Sequence, residues 1–563
     1  MPTNVSEQSV EHEFYSSFPE NYKVGKTKFI IITGSVMSGV GKGTFSSCLA
    51  TLLTCHGLKV SPIKFDGYLN YDAGTLNPYR HGEVFVLNDG TECDLDLGSY
   101  ERAISRDLTK DNYLTAGKIF KTIIDRERNG KYLGRDVQFI PHVTGEIKKF
   151  LRELTVKTGA DVVIVEVGGT VGDLENSYFI EATRELRYEE GKDNVCFVNV
   201  TYIIQPSSLG EFKSKPAQLG IRKLMELGVQ PDIIICRSEN PVGKNVLEKL
   251  SIFSDVPVER IYNLYDLGNI YEIPLILREN GVDKSVFEIL KLEPKNVKPE
   301  LNFSEWEEYI RKIKSVKKEV TIGIVGKYTD VHDSYLSILK ALEHAGPYLE
   351  VKAKVKWIES SSLDSDKKIE ETLKDVDGLI VPGGFGKRGI EEKIKAIKYA
   401  RENKIPYLGL CLGMQLAVVE FARNVCGLNK ANSTEFDADT PYPVIDFIPE
   451  QVSLIKESKY GATMRLGAYP AILKGGSLIR KIYNEEKIYE RHRHRYEVNP
   501  NFVEILEKNG LIFSGKSPDG ILMEFMELKN HPYFVSTQSH PEFTSRPLRP
   551  NPLFYGFIKA CIE

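Results

Sequence analysis

The sequence predicts an α/β protein of two domains, and three observations carry the prediction. The chain has 563 residues, more than one hydrophobic core usually organises. Runs such as "KFIIITGS", "ADVVIVEVGG", "VCFVNVTYII" and "QPDIIICRSE" are almost continuously apolar and alternate with helical patterns, which implies a parallel sheet covered on both faces. The series breaks near Lys291 and restarts at "VTIGIVGKY".

Composition narrows the classes. Hydrophobic residues make up 41% and charged residues 27%, ordinary for a globular protein. A formal net charge of −4 gives no electrostatic case for nucleic acid as the main partner. The eight cysteines are scattered without a C-x-x-C pair, so neither a zinc cluster nor a disulfide framework is expected. Reduced thiols and a cytoplasmic location fit that usage. No apolar run is long enough to span a membrane. Residues 1–26 are polar and lack a basic end followed by an apolar core, so they read as a partly disordered extension and not as a signal peptide.

The first domain is expected over 27–291. Its strand "KFIIITGS" runs into "GSVMSGVGKGT", Gly34 to Thr44, and then into the helical "GTFSSCLATLLTCHG". A glycine-rich turn between strand and helix cradles phosphate. Backbone N–H groups turn inward, the helix N-terminus adds positive potential, and Lys42 reaches the outer phosphates. The spacing departs from the usual P-loop, because Gly34 lies seven residues before Gly41 and Gly43 replaces the metal-binding hydroxyl. Carboxylates for a metal are therefore expected elsewhere. "DGTECDLDLGSYER" supplies Asp94 and Asp96, and "VIVEVGGTVGDLE" supplies Glu166 at a strand end, then Asp173 and Glu175. "GEFKSKPAQ" places Lys213 and Lys215 near Gln218, suited to a second triphosphate and a base edge, or to a solvated charged face.

Residues 292–318 read as a linker with a short charged helix, where Ser304 and Glu307 have capping-box spacing. The second domain, 319–563, restarts strands at "VTIGIVGKY", "LEVKAKVKWI", "VDGLIVPGG" and "IPYLGLC". Cys411 ends the last of these and begins a helix, the place where a helix N-terminus favours a thiolate. "VSTQSHPEF" offers His540 as base. Glu542, two residues on and facing the same side of an extended segment, would orient it. Gly384 of "VPGGFGKRG" and the N–H of Leu412 are candidate oxyanion donors. His492 and His494 of "ERHRHRYEVN" have no acidic or cysteine ligand paired in sequence and do not read as a metal site. Arg495 suits a carboxylate.

These stretches together resemble the CTP synthase family, from about Lys28 to the C-terminus. "DLDLGSYER", "GEVFV", "VEVGGTVGD", "PHVTGEI", "NSTEF", "TMRLGA" and "RHRHRYEVN" occur in the family's order. The resemblance implies an N-terminal P-loop, dethiobiotin-synthetase-like domain joined to a C-terminal class I glutaminase. It implies ATP-dependent amination of UTP to CTP, with ammonia from glutamine, Mg²⁺ as cofactor, GTP as activator and CTP as inhibitor. Gly39, Val40, Gly41, Lys42, Gly43, Thr44, Lys64 and Asp96 then match the ATP site, with Asp96 and Glu166 as metal ligands. Ser38, Lys213, Ser214, Lys215, Pro216, Ala217, Gln218 and Lys249 match the UTP region. Asp173, Leu174 and Glu175 match the segment reading inhibitory CTP. His81 and Val84 match the ammonia passage. Gly384, Leu412, Gly413, Met414, Gln415, Glu435 and Arg495 match the glutamine site, and Arg388 the GTP-responsive lid. A homotetramer, a dimer of dimers, is implied, and filament formation is left open.

The chain departs from the family's usual stretches in four places. "KTKPTQ" reads "KSKPAQ", "DPYIN" reads "DGYLN", "GDIES" reads "GDLEN", and "TGG" reads "TGS". Ser214 keeps a hydroxyl and Ala217 does not, so a hydrogen bond to nucleotide, worth about 1.5–3 kcal/mol when charge-assisted, is expected to be lost at 217. Two other readings compete: a different ATP-dependent amidotransferase such as a cobyrinic acid amide synthase, and a diverged, non-enzymatic paralogue. "KSKPAQ" and "DLDLGSYER" disfavour the first, and the intact Lys42, Asp96, Glu166, Cys411, His540 and Glu542 disfavour the second.

Overall fold

The computed structural model describes residues 18–206, 210–297, 299–327, 329, 331–384, 386–447 and 464–563. It divides into two compact units. One contains residues through Ala73 together with Ser99–Ile310, and the other contains Gly74–Gly98 together with Arg311–Glu563.

The first unit carries a seven-stranded sheet among its described residues, in the order Tyr113–Thr115, Val60–Asp66, Val162–Val167, Lys28–Gly34, Val195–Tyr202, Ile233–Ser238, Ile261–Tyr265. Every neighbouring pair is parallel. The central strands are buried along nearly their whole length, which is why their sequences run apolar without alternation. Lys28–Gly34 sits between the strand ending at Glu166–Val167 and the strand Val195–Tyr202, so the phosphate-loop turn and Glu166 emerge at the same carboxyl edge of the sheet.

Two local expectations change. The helix Phe303–Ser315 starts one residue before Ser304, and its cap is Asn302, whose Oδ1 accepts from Glu305 N at 2.8 Å and from Ser304 Oγ at 2.7 Å. Ser304 is a donor to the cap residue and not the cap itself. Part of the 1–26 extension is packed: Phe18 lies over the buried Arg152 guanidinium at 3.9 Å, and Gly25 N donates to Glu190. Residues 1–17 lie outside the described residues.

The second unit holds a nine-stranded sheet among its described residues. Val351–Glu359, Lys318–Gly326, Gly378–Val381, Tyr407–Leu410 and Phe534–Thr537 run parallel, and Met523–Leu528, Leu511–Lys516, Arg465–Leu473 and Lys487–His494 continue it antiparallel. One core cluster, including Leu379, Leu412, Met414 and Val418, fills one face, and another, including Ile322, Ile380, Leu410 and Val535, fills the opposite face. Residues 74–98 belong to this unit as a strap. Glu83 accepts from Ser337 N at 2.8 Å, Asn88 accepts from Arg491, and Glu92 pairs with Arg493 at 2.7 Å.

Candidate functional site

In the second unit, Tyr407–Leu410 delivers Cys411 to a turn, and Leu412–Asn424 leaves it as a helix. Cys411 has φ 51° and ψ −102°, a conformation that L side chains rarely adopt and that lifts the thiol out of the strand. The flanking glycines make the turn possible. A Cβ at Gly413 would stand 2.1 Å from Val381 O, and one at Gly409 would stand 2.6 Å from Ser536 Oγ.

His540 follows the neighbouring strand Phe534–Thr537. Its Nδ1 meets Glu542 Oε1 at 2.7 Å. The spacing predicts an extended segment at Glu542; instead Glu542 is the second residue of a short 3₁₀ turn, Pro541–Thr544, and the turn brings its carboxylate to the ring. Burial pulls the imidazole pKa down. The Glu542 carboxylate and the hydrogen-bonded Cys411 thiol outweigh that, and the pKa is pushed up to about 10. Phe543 stacks on the imidazole, and Phe85 of the strap packs on Phe543 with the two rings tilted at 58°. Gly383 completes the fit, since a Cβ there would lie 2.8 Å from His540 Cε1 and 3.6 Å from Cys411 Cβ.

Cys411, His540 and Glu542 line a cavity of about 250 Å³, closed on another side by Gly74, Leu76 and Val84 of the strap. Gly384 also lines it. Val84 is buried there, whereas His81 is exposed and outside the lining. Glu435 Oε1 accepts from Gly386 N at 3.0 Å, and burial raises its carboxyl pKa against the opposing charges of Lys327 and Arg495. The Arg495 charge is felt at Glu435, and a carboxylate and a guanidinium of this kind suit the two ends of an α-amino acid. Arg388 donates to Lys327 O at 2.6 Å and lies 3.5 Å from Glu359. Gln415 and Met414 are buried on the helix behind the thiol.

In the first unit, Gly39 and Gly41 have φ of 71° and 93°, and Lys42 folds back so that Nζ donates to Gly169 O at 2.6 Å. Val40, Gly43 and Thr44 continue the turn into the helix Lys42–Cys55, while Ser38 is exposed. Lys64 pairs with Glu166 at 2.8 Å, and Tyr100 donates to the other Glu166 oxygen. Asp173 Oδ2 accepts from Thr170 N, leaving Leu174 and Glu175 exposed beside it. Lys213 pairs with Glu211, Lys249 is exposed, and Gln218 donates to Ser214 Oγ at 3.0 Å across the first turn of Lys215–Glu226, which Pro216 helps start. Ala217 requires a correction. It is fully buried among Ile203, Ile221 and Ile234, so the side chain at 217 faces the core and no side-chain bond to nucleotide is lost there. In the second unit, Asp94 Oδ1 accepts from Asp96 N in the first turn of Leu95–Ile104.

The sequence reading missed three residues. Arg237 lies against Gly41 of the phosphate loop and is held by Asp266 at 2.6 Å, Lys327 lies beside Glu435, and Gln538 reaches Cys411 Sγ at 3.7 Å. Gln538 sits in "STQSH" next to His540, the one local signal that was available.

Comparison with known proteins matches residues 28–292 to the CTP synthase N-terminus and residues 330–560 to glutamine amidotransferase class-I. The CTP synthase of Pyrococcus furiosus is 51% identical over 95% of this chain and 98% of its own length. The chain belongs to the CTP synthase family. The Carboxydothermus hydrogenoformans CTP synthase is 52% identical over 95% of this chain and 99% of its own length. A solved Trypanosoma brucei CTPS glutaminase domain with bound acivicin is 38% identical, covering 43% of this chain and 94% of its own, with TM-score 0.41. As a CTP synthase the chain is a ligase of pyrimidine nucleotide biosynthesis that uses UTP, ATP and glutamine, and the family uses Mg²⁺. Among the described residues, no helix is long and apolar enough to cross a membrane.

Proposed function

We propose that Cys411, His540 and Glu542 form the glutaminase triad of this CTP synthase. The observation that carries the reading is the single cavity where the thiol, the imidazole and its carboxylate meet. Glu435 takes the glutamine ammonium and Arg495 its carboxylate. The Cys411 thiolate attacks the side-chain amide carbon while the N–H groups of Gly384 and Leu412 hold the oxyanion. Collapse of that adduct breaks the C–N bond, and His540 gives its proton to the leaving nitrogen, which departs as ammonia. Water then cleaves the thioester, returning glutamate and the thiol. Val84 and the strap screen the released ammonia from water, which at neutral pH would trap it as ammonium.

In the synthetase unit the reading assigns ATP to the loop around Lys42, with Lys64 and Arg237 beside it, and UTP to Ser38, Lys213–Gln218 and Lys249. The family resemblance adds Glu166 and Asp96 as Mg²⁺ ligands, carboxylate oxygens being what that ion prefers, and the ion would neutralise phosphate charge. Asp173–Glu175 read the base of inhibitory CTP, and Arg388 responds to GTP. The assembly is a homotetramer, and the location cytoplasmic. The test is Cys411→Ala. Glutamine-dependent CTP formation is expected to vanish while ammonia-dependent formation persists, and equal loss of both would overturn the two-site reading.

A further inference from the structure

Behind the catalytic thiol lies a buried polar cluster that the glutaminase chemistry above does not use. Arg465 bridges two carboxylates, Glu497 Oε1 at 3.2 Å and Glu524 Oε1 at 2.7 Å. His492 and His494 lie beside them, and all five side chains are at most 8% exposed. The second oxygens, Glu497 Oε2 and Glu524 Oε2, have no hydrogen-bond partner. Two ionised carboxylates against one guanidinium would leave a net negative charge out of water, which is costly.

Hydrogen-bond polarity shows where the balancing proton belongs. His494 Nδ1 meets the Tyr496 carbonyl at 3.1 Å, and a carbonyl only accepts, so Nδ1 carries hydrogen. Both imidazoles are held neutral, their pKa values driven well below the usual histidine range first by burial and then by the Arg465 charge. His494 Nε2 is therefore an acceptor, and its 2.9 Å partner His492 Nδ1 is the donor. His492 Nε2 is left with a lone pair, and 3.6 Å away stands the unpartnered Oε2 of Glu524.

The same network reaches the nucleophile. Gln415 Nε2 donates to that Tyr496 carbonyl at 2.9 Å and lies 3.4 Å from Gln538 Oε1. This fixes the Gln538 amide with its NH₂ toward Cys411 Sγ, 3.7 Å away, while Gln538 N donates to Glu524 O at 2.9 Å.

We propose that Glu524 is held as a neutral carboxylic acid with its proton on Oε2, and that it acts through His492, His494 and Gln415 as a positioning residue that keeps Gln538 donating to the catalytic thiolate. Burial raises the carboxyl pKa of both Glu497 and Glu524, which favours a proton held on the pair, and the acceptor His492 Nε2 beside Glu524 Oε2 draws it to that side. The charged and titratable groups facing the pair are Arg465, His492, His494, the turn carboxylate Asp519 and, more remotely, His540. This inference rests on the glutaminase reading, and its test includes a readout independent of turnover.

The experiment uses the full-length enzyme. Difference infrared spectroscopy across pH 6–9 is expected to show a protonated carboxyl band in the parent protein that is absent in Glu524→Gln. Glutamate release by Glu524→Gln, which keeps a neutral donor, is expected to stay within about threefold of the parent at pH 7. Glu524→Ala should lose about ten- to a hundredfold in kcat with KM little changed, the scale of a lost hydrogen bond to a charged group, while ammonia-dependent CTP formation is kept. If Glu524→Ala does not fold, Glu524→Gln carries the test alone. No protonated band, or a Glu524→Gln variant as impaired as an alanine, would overturn the proposal. A retained band with a dead Cys411 would instead indict the glutaminase reading.

Discussion

Replacing Gly383 with alanine should cripple glutamine hydrolysis and spare the other half of the enzyme. The added Cβ would lie 2.8 Å from His540 Cε1, about 0.6 Å inside ordinary contact at 3.4 Å. The imidazole has little room to yield. Phe543 stacks on one face, Phe85 backs Phe543, and Glu542 holds Nδ1 at 2.7 Å. A displacement of roughly half an ångström to one ångström at a reacting group costs about ten- to a hundredfold in rate. The expected outcome is a kcat for glutamate release lower by that factor, with CTP formation from ammonium chloride unchanged. Gly384→Ala is the control, because a Cβ there meets Leu412 Cδ2 at a normal 3.6 Å and leaves the backbone N–H in place. If Gly384→Ala were the more damaging of the two, the steric reasoning would be wrong.

Other outcomes follow from the same geometry. Lys42→Ala should stop CTP formation from either nitrogen source while glutamate release continues; persistent synthesis would remove Lys42 from the ATP site. Glu542→Gln should lower glutaminase kcat by about tenfold or more and move the alkaline limb of its pH profile to lower pH, because His540 loses the carboxylate that outweighs its burial; an unmoved limb would assign the limb to another group. The raised His540 pKa also makes a stability statement. Its contribution is fully present below the unfolded histidine pKa of about 6.5 and is lost as pH rises through about 10, so Glu542→Gln should narrow the difference in denaturation midpoint between pH 6 and pH 10. Ala217→Thr should destabilise the protein by about 1–3 kcal/mol through overpacking, read from urea denaturation, with no gain in UTP affinity.

The strands of both sheets were legible because buried parallel strands leave an unbroken apolar run, as in "KFIIITG" and "VVIVEV". Cys411 and His540 were legible as a strand-end thiol and an imidazole in short motifs. What joins them was not. The 3₁₀ turn that tucks Glu542 under His540 depends on Pro541 and on packing against Phe85, 455 positions before His540 in the chain. The helix cap at Asn302 was hidden by an adjacent serine with the right spacing. Ala217 showed only that a hydroxyl was missing, and the direction of its Cβ is set by which helix face meets Ile203 and Ile234. Arg237 sits on a strand whose neighbours are chosen by sheet order, so its approach to Gly41 left no local trace.

The strap of residues 74–98 bears on how such a gene can be rearranged. The polypeptide passes from one compact unit to the other at 73/74, again at 98/99, and once more at 310/311. A cut at the last of these crossings alone would deliver a glutaminase without Val84, Phe85 or Glu92, its cavity missing a wall and Arg493 missing its carboxylate partner. The two activities are therefore not modules that recombination can exchange at a single junction. An unrelated glutaminase appended to this synthetase would inherit a strap shaped for another surface, and both sequences would have to change together before the cavity regained that wall.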